Sequence, residues 1–392
     1  MAESRTKPAE PSEYKKPGAA PEAGPGVMHV ITGLGDGGAE AVLTRLVLAQ
    51  RAAPLAQRVV SLTGGGRYDA ELRDAGIPTE SLGMRAGRPG PGGLLRLARL
   101  IRRHRPGVIQ SWMYHADLAA LIALALSGRR GQTRLYWGIR AANMALEHYG
   151  PLLGATIRAC AWLSPYPDAV VANSRAGLAH HLERGFRPRR GLIIRNGIDC
   201  ARFRPMPEQR AAMRAKLGIP EDRPVAAHVA RLDPMKDHAT LMAALARAPD
   251  VTCLAVGQGT ESLTGHDNLV ALGRRDDVRP VLAAADMIVS SSIGEGFPNA
   301  LAEGMAMGLP AIATEVGDTA ELMGPAGGPA GVLVPPSDPE ALAAGLSALA
   351  ADPERRRQLG ALARTRVAET FSLEAMVRAF DELHRTGGGS GD

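Results

Sequence analysis

The sequence predicts an α/β protein built as two doubly wound, parallel-sheet domains, and three observations carry that reading. The chain has 392 residues, too many for one ordinary core, so two domains of about 170–190 residues each are expected. Short apolar runs recur along it, each separated from the next by a segment long enough for a crossover helix. That is the pattern of a parallel sheet covered on both faces. The series breaks once, at Asn196-Gly197, a turn signal followed by a Pro- and Arg-rich connection.

Taken in order, residues 1–26 are rich in Pro, Ala, Glu and Lys without apolar period and are expected to be disordered. The strand candidates of domain 27–196 are Val27–Thr32, Arg58–Leu62, Val108–Trp112, Ala169–Ala172 and Gly191–Arg195. Those of domain 197–371 are Val225–Ala230, Thr252–Val256, Leu269–Leu272, Met287–Ser290 and Ala311–Thr314. A last helical pattern, residues 372–386, opens on Ser372 as N-cap with Glu374 in its first turn, and residues 387–392 read as a flexible tail.

Composition narrows the function classes. The chain is 45% hydrophobic but only 4% aromatic, so its cores are Ala, Val, Leu and Ile. Cys160, Cys200 and Cys253 lie far apart without metal or redox spacing, which points to a reducing cytoplasm. The longest apolar run, Leu118–Leu126, is about half the ~20 residues a membrane span needs, and the first residues are unlike a secretory signal. Residues 27–196 hold 23 Arg, no Lys and 10 acids, a balance of +13, whereas residues 197–392 hold 19 basic and 26 acidic residues, a balance of −7. The first domain therefore suits an anionic partner. Nucleic acid is disfavoured, since no zinc-finger spacing, RNA-binding signature or aromatic-interleaved basic run occurs. Leu94–Arg105 reads as a basic amphipathic helix, with Leu94, Leu97, Ala98 and Ile101 on one face. It is a covering helix that also suits peripheral contact with anionic lipid at the inner face of the cytoplasmic membrane.

The candidate site residues follow strands. After the first comes GLGDGGAEAVLTRLV, in which Gly33, Gly35 and Gly38 match the dinucleotide fingerprint. Taken alone that match supports a rival class, an NAD-dependent oxidoreductase, but the second strand ends without the acid that would hold a ribose, so the match lacks its partner. His115 stands where a helix begins after the third strand, and Arg140 and Asn143 follow another strand, placed to meet an acceptor. In the second half, Val225–Ala230 runs into Arg231 and then Lys236, two cations at a strand's carboxyl end that suit a diphosphate leaving group without a metal. Gly257 lies in a loop after the next strand, and Arg274 in LGRRDDVRP.

The densest stretch is SSSIGEGFPNALAEGMAMGLP, residues 290–310. A turn carrying Glu295, Gly296 and Phe297 leaves a strand, and a helix is predicted from Pro298 to Met307, ended by Gly308 and Pro310. Free amides at its start (Asn299, Ala300, Leu301) make an anion site suited to phosphate. Glu303 lies five residues along, roughly 7–8 Å up the axis. No Asp-x-Asp occurs, and the Asp-x-Glu pairs read as helix starts, so no metal site is expected.

Glu295 and Glu303, eight apart around Gly-Phe-Pro-Asn, resemble the signature of the retaining glycosyltransferases of family 4. The Arg231-x4-Lys236 pair, the Gly-Gly-Ala-Glu loop and the His-Ala-Asp-Leu context of His115 are similar to that family too. The resemblance covers about 345 residues. It implies a GT-B fold, two Rossmann-like doubly wound domains facing a central cleft, with the terminal helix crossing back to the first domain. It implies a nucleotide-diphosphate sugar, UDP- or GDP-linked, as substrate rather than any bound cofactor. In such a site Gly37 and Gly38 approach the donor phosphates, Arg231 and Lys236 grip the diphosphate, and Glu295 contacts the sugar. Glu303 holds the ribose, Arg274 lies near the base, and His115 lines the sugar pocket. The loop of Gly257 departs from the family's usual Gly-Asp-Gly-Pro. Retention, and a lipid-linked or saccharide acceptor, are expectations of the same kind; a GT-B epimerase is the nearest enzymatic alternative.

Overall fold

The computed structural model describes residues 26–387, apart from 36, 53, 86–89, 141–150 and 325–328. The chain forms two parallel sheets. In the first, β1 (Val27–Ile31), β2 (Gln57–Ser61), β3 (Thr79–Ser81), β4 (Val108–Trp112), β5 (Arg134–Ile139), β6 (Ala169–Ala172) and β7 (Gly191–Ile193) lie in the order β3-β2-β1-β4-β5-β6-β7. In the second, β8 (Val225–Val229), β9 (Thr252–Val256), β10 (Leu269–Gly273), β11 (Met287–Ser290), β12 (Ala311–Thr314) and β13 (Gly331–Val334) lie in the order β10-β9-β8-β11-β12-β13. Strand order therefore reverses between β1 and β4 in one sheet and between β8 and β11 in the other. Such switch points open a crevice at the carboxyl ends of the strands.

Both faces of each sheet are covered, as fully apolar strands require. On one side of the first sheet lie α3 (Pro91–His104), α4 (Tyr114–Ser127) and α5 (Pro151–Leu163), burying Leu97, Ala98, Ile101, Ala120 and Cys160. On the other lie α1 (Gly38–Ala49) and α2 (Arg67–Asp74) together with α14 (Leu373–Thr386), which buries Met376, Phe380 and Leu383 in the first domain's core. The second sheet is sandwiched between α9 (Arg279–Ala284), α10 (Asn299–Ala306) and α13 (Pro353–Thr370) on one face and α8 (His238–Leu245) and α12 (Pro339–Ala351) on the other. α7 (Pro207–Leu217) packs against α9, and its buried Arg214 meets Asp286, at the amino end of β11, at 2.7 Å.

The chain passes between the domains twice, and the passages are bonded together. The Ile198 amide donates to Phe371 O at 2.8 Å, and the Leu373 amide donates to Ile198 O at 2.9 Å. Ser372 caps α14 by accepting from the Ala375 amide.

Three expectations of local structure are corrected. The sequence series passed over β3, a polar three-residue edge strand, and β13, behind a Gly- and Pro-rich stretch, and left β5 unbounded as the strand before Arg140. The helix expected from Pro298 to Met307 is shorter, Asn299–Ala306, because Pro298 sits at ψ 82° as N-cap instead of entering the helix. In α3, Leu97, Ala98 and Ile101 are buried as the spacing predicts, while Leu94 is only partly so. Of the segments expected to be loose, residues 1–26 and 387–392, all but Gly26 and Gly387 lie outside the described residues, as does Asn143.

Candidate active site

The loops leaving both switch points line one cleft of about 860 Å³ between the domains. On the second-domain side, β8 delivers Arg231 and a single 3-10 turn, Pro234–Lys236. Asp233 caps that turn through the Met235 amide at 2.9 Å and holds Arg231 through Nε at 3.0 Å and Nη2 at 2.9 Å. Burial pushes the Asp233 carboxyl up, but the Met235 amide and Arg231 outweigh it and leave the group below its ordinary range. The Arg231 side chain remains 61% exposed despite that pairing.

Lys236 is placed differently. Its Nζ lies 2.5 Å from Glu295 Oε1, and Ser292 Oγ donates to the same oxygen at 2.7 Å. The two loops are sewn together, since the Ile293 amide donates to Met235 O at 3.0 Å and Ser291 Oγ to Lys236 O at 2.9 Å. The ammonium and carboxylate thus balance each other until an anion competes for the lysine. Two glycines permit this packing. Gly257 at φ 151° lies so close to the β8 loop that a Cβ would come within 2.1 Å of Ala230 O. Gly317 at φ 56° lies the same distance from Glu295 O. Any side chain at either position would displace the cation loop or the Glu295 loop.

At the start of α10, the Asn299 amide bonds to Phe297 O at 3.0 Å and the Ala302 amide to Pro298 O at 3.1 Å. The N–H groups of Ala300 and Leu301 are left without intrahelical acceptors, and no side chain caps them. The free set is therefore smaller than expected, because Asn299 is engaged. Phe297 and Leu301 belong to the core by their side chains; the Phe297 ring packs on Phe371 with centroids 5.5 Å apart. Only their backbone borders the cleft, with Gly296 O accepting from the Asp318 amide at 3.4 Å. Arg274 lies at the rim, 3.7 Å from Asp276.

The first domain presents a second uncapped helix start. Gly37 is the N-cap of α1, and a Cβ on Gly38 would stand 3.7 Å from Asn299 Nδ2, so the two helix starts meet. Gly37 and Gly38 line the cleft whereas Gly33 and Gly35 do not. His115 is the second residue of α4, behind Met113, a non-glycine N-cap at φ 72°. Met113 is held there by its amide on Gly138 O at 2.9 Å, and strain of this kind persists only where neighbours enforce it. Burial lowers the His115 pKa, which favours neutral imidazole. Asp117, two residues on, accepts from Ser111 Oγ at 2.6 Å and the Gly138 amide at 3.2 Å. Arg140 Cζ lies over the Trp112 ring, 4.3 Å from its centroid.

Sequence reasoning missed the residues that bridge the domains. Arg45 Nη1 stands 3.3 Å from Glu303 Oε1. Asn196 Nδ2 donates to Asn299 Oδ1 at 3.0 Å. Asp318 accepts the Arg175 and Ala176 amides of α6 (Arg175–Glu183) at 2.7 and 2.9 Å. Arg45 had a readable signal: it lies seven residues after Gly38, two turns along the same face. Asp318 had none. Among the described residues, no group of three or more His, Cys, Asp or Glu side chains is arranged to hold a metal ion.

Comparison with known proteins decides the family. A model for "Glycosyl transferases group 1" matches residues 209–366, and one for "Glycosyltransferase Family 4" matches residues 36–202. The chain belongs to glycosyltransferase family 4. This family 4 chain is 32% identical over 249 residues to the D-inositol 3-phosphate glycosyltransferase of Kineococcus radiotolerans, covering 56% of the chain and 57% of that relative. It is 34% identical over 202 residues to the GDP-mannose-dependent monoacylated alpha-(1-6)-phosphatidylinositol monomannoside mannosyltransferase of Corynebacterium glutamicum, covering 46% of the chain and 52% of the relative. The chain thus spans about half the length of the curated relatives it matches. In fold it resembles Anabaena HepE, solved in complex with UDP-glucose, with a TM-score of 0.79 at 22% identity, over 92% of this chain and 99% of that one. The architecture is GT-B.

Proposed function

We propose that the protein transfers a sugar from a nucleoside-diphosphate donor, UDP- or GDP-linked, to a lipid-linked or saccharide acceptor, with retention and without a metal. The observation that carries this reading is the convergence of Lys236, Glu295, the Ala300 and Leu301 amides and Glu303 on one cleft. That set matches a diphosphate, a sugar and a ribose in line. The UDP-glucose complex of HepE and the GDP-mannose dependence of the Corynebacterium relative support a nucleotide-sugar donor.

In this reading the bond from the sugar's anomeric carbon to the β-phosphate breaks, and a bond to the acceptor oxygen forms on the same face. Negative charge grows on the departing diphosphate. Lys236, Arg231 and the α10 amides stabilise that charge in place, without the reorganisation that water would need. The acceptor proton passes to the phosphate that leaves. Glu295, released by Lys236 as the phosphate claims the ammonium, orients the sugar. Glu303 accepts from the ribose hydroxyls, Gly37 and Gly38 let the backbone close on the phosphates, and neutral His115 lines the sugar pocket. Arg274 borders the base, and Arg140 faces the acceptor.

The protein is proposed to act in the cytoplasm, in peripheral contact with anionic lipid through residues 94–105. The support is the exposed arginines Arg96, Arg99, Arg102 and Arg103 of α3. No described helix is long and apolar enough to cross a membrane. A thermal-shift panel of sugar nucleotides tests the donor: stabilisation by UDP or GDP sugars is expected, and stabilisation by NAD alone overturns the reading. Activity is expected to survive EDTA, and loss restored by Mg2+ overturns the metal-free mechanism.

A further inference from the structure

Among the described residues, Arg140 is a cation without a paired carboxylate. It leaves the carboxyl end of β5 directly, between the ends of β4 and β6, and its guanidinium lies against a packed ring pair, 4.3 Å from the Trp112 centroid and 5.5 Å from that of Phe380 of α14. Nη1 donates to Asn196 Oδ1 at 3.2 Å, and its own carbonyl accepts from Asn173 Nδ2 at 3.4 Å. Its Nε and Nη2 are buried and find no hydrogen-bond acceptor among the described residues. No carboxylate of the described residues is paired with it.

Asp117, whose field reaches Arg140, does not fill that role. Burial pushes the Asp117 carboxyl up to about 8, so that it is largely protonated at neutral pH. Burial also lowers the Arg140 pKa, to about 9, which still leaves the guanidinium charged at pH 7. A buried charge with unfilled donors is costly unless something pairs with it. The aromatic faces meet part of that cost but accept no hydrogen bond from the guanidinium edge.

The position says what could. Arg140, Asn173 and Asn196 border the cleft on the first-domain side, opposite the donor loops. Asn196 is bonded to Arg140 on one side and to Asn299 of α10 on the other. An anion at Arg140 therefore lies two hydrogen bonds from the helix assigned above to the donor diphosphate, near it but on the other domain. The +13 balance of residues 27–196 adds a favourable field for an anion there.

We infer that Arg140 is the anchor of an anion subsite for the acceptor, so that the acceptor carries a phosphate group which the Nε–Nη2 edge of the guanidinium holds bidentately. Resting on the glycosyl-transfer reading, the inference narrows the acceptor to phosphate-bearing sugars, polyols or lipid headgroups. Planar guanidinium is suited to a phosphate by two parallel N–H···O bonds, where a lysine offers only a point charge.

The test is calorimetric binding of myo-inositol 1-phosphate and of unphosphorylated myo-inositol to the full chain, with saturating UDP or GDP and again without nucleotide. Phosphatidylinositol in phosphatidylcholine vesicles, against phosphatidylcholine alone, provides the lipid arm. Wild-type protein is expected to bind at least one of the two phosphate-bearing probes at least tenfold more tightly than its phosphate-free counterpart, and the arm that responds identifies a soluble or a lipid source. Arg140→Gln is expected to lose that difference while binding nucleotide within about twofold of wild type, and Arg140→Lys to recover only part of it. Retained nucleotide binding shows that the variant folds. If Arg140→Gln binds both phosphates as wild type does, or if wild type prefers neither, the anion subsite is overturned while the donor reading stands. If no nucleotide binds but phosphate binding still depends on Arg140, the subsite stands and the donor reading falls.

Discussion

Arg45 of the first domain reaches across the cleft to Glu303 of the second, Nη1 to Oε1 at 3.3 Å, with both side chains less than one-fifth exposed. Burial raises the Glu303 pKa and Arg45 opposes that rise. In the proposed function the same carboxylate holds the ribose, so domain closure and nucleotide recognition share one group. Arg45→Met is expected to weaken nucleotide binding by about tenfold to a hundredfold, the range for a hydrogen bond to a charged group. Without its cation Glu303 is protonated at higher pH, so the loss of affinity on acidification should begin earlier in the variant. Calorimetric titration of UDP or GDP between pH 5 and 8 reads both effects; an unchanged acid limb would show that Arg45 does not govern the carboxylate.

Lys236 and Glu295 form the closest charged pair in the site, and removal of either strands the other. Lys236→Ala should lower kcat/KM by about 10²–10³, the usual cost of losing one preorganised donor to a developing anion. Arg231→Ala should cost less, because its side chain is mostly exposed and already occupied by Asp233. Steady-state rates for the two variants give the ranking; a larger effect at Arg231 would reverse the assignment.

Asp286 joins Arg210 at 2.8 Å and the buried Arg214 at 2.7 Å beneath the second sheet, remote in role from the cleft. Asp286→Ala leaves a buried guanidinium uncompensated and should destabilise the fold by about 3–5 kcal/mol. Arg231→Ala should stay within about 0.5 kcal/mol. Urea unfolding of both variants separates a structural ion pair from a site cation.

Asp117 gives stability a distinctive pH dependence. Its folded pKa is raised to about 8, so between its unfolded value and pH 8 the folded state holds a proton that the unfolded state has lost. Stability from this group therefore falls as pH rises, by about 1.4 kcal/mol per pH unit within that window. The buried His29 and His228, lowered to about 4 and about 3, act oppositely, but only below the ordinary histidine range. Between pH 7 and 8 the Asp117 effect stands apart, and Asp117→Asn should remove it. Denaturation midpoints at pH 7.0, 7.5 and 8.0 for both proteins measure the difference.

Periodicity and punctuation were enough to read most of the scaffold. Ala169–Ala172, Thr252–Val256, Met287–Ser290 and Ala311–Thr314 are apolar but for a terminal Thr or Ser because both faces of a parallel strand are buried. Thr79–Ser81 escaped because an edge strand of three residues has no pattern to read. Glu295 and Glu303 stood out through their shared motif, and Arg231 and Lys236 through their place after a strand. The bonds that fix their state were not legible. That Arg45 meets Glu303 and that Asn196 ties Arg140 to Asn299 depend on how two sheets are set against each other, and residues 258 apart leave no local trace of meeting; that Lys236 lands on Glu295 depends on β8 and β11 lying side by side within one sheet.

The seating of α14 bears on how the protein is made. Met376, Phe380 and Leu383 fill the core beneath β1, α1 and α2, yet they are translated after every strand of both sheets. The first domain to emerge from the ribosome is thus the last to complete its interior, waiting with an open apolar face while its neighbour, which holds all its own core segments, closes ahead of it. Vectorial synthesis and folding order run in opposite directions, so a nascent chain stalled before residue 373 should present protease-sensitive sites in residues 27–196 and few in residues 197–371.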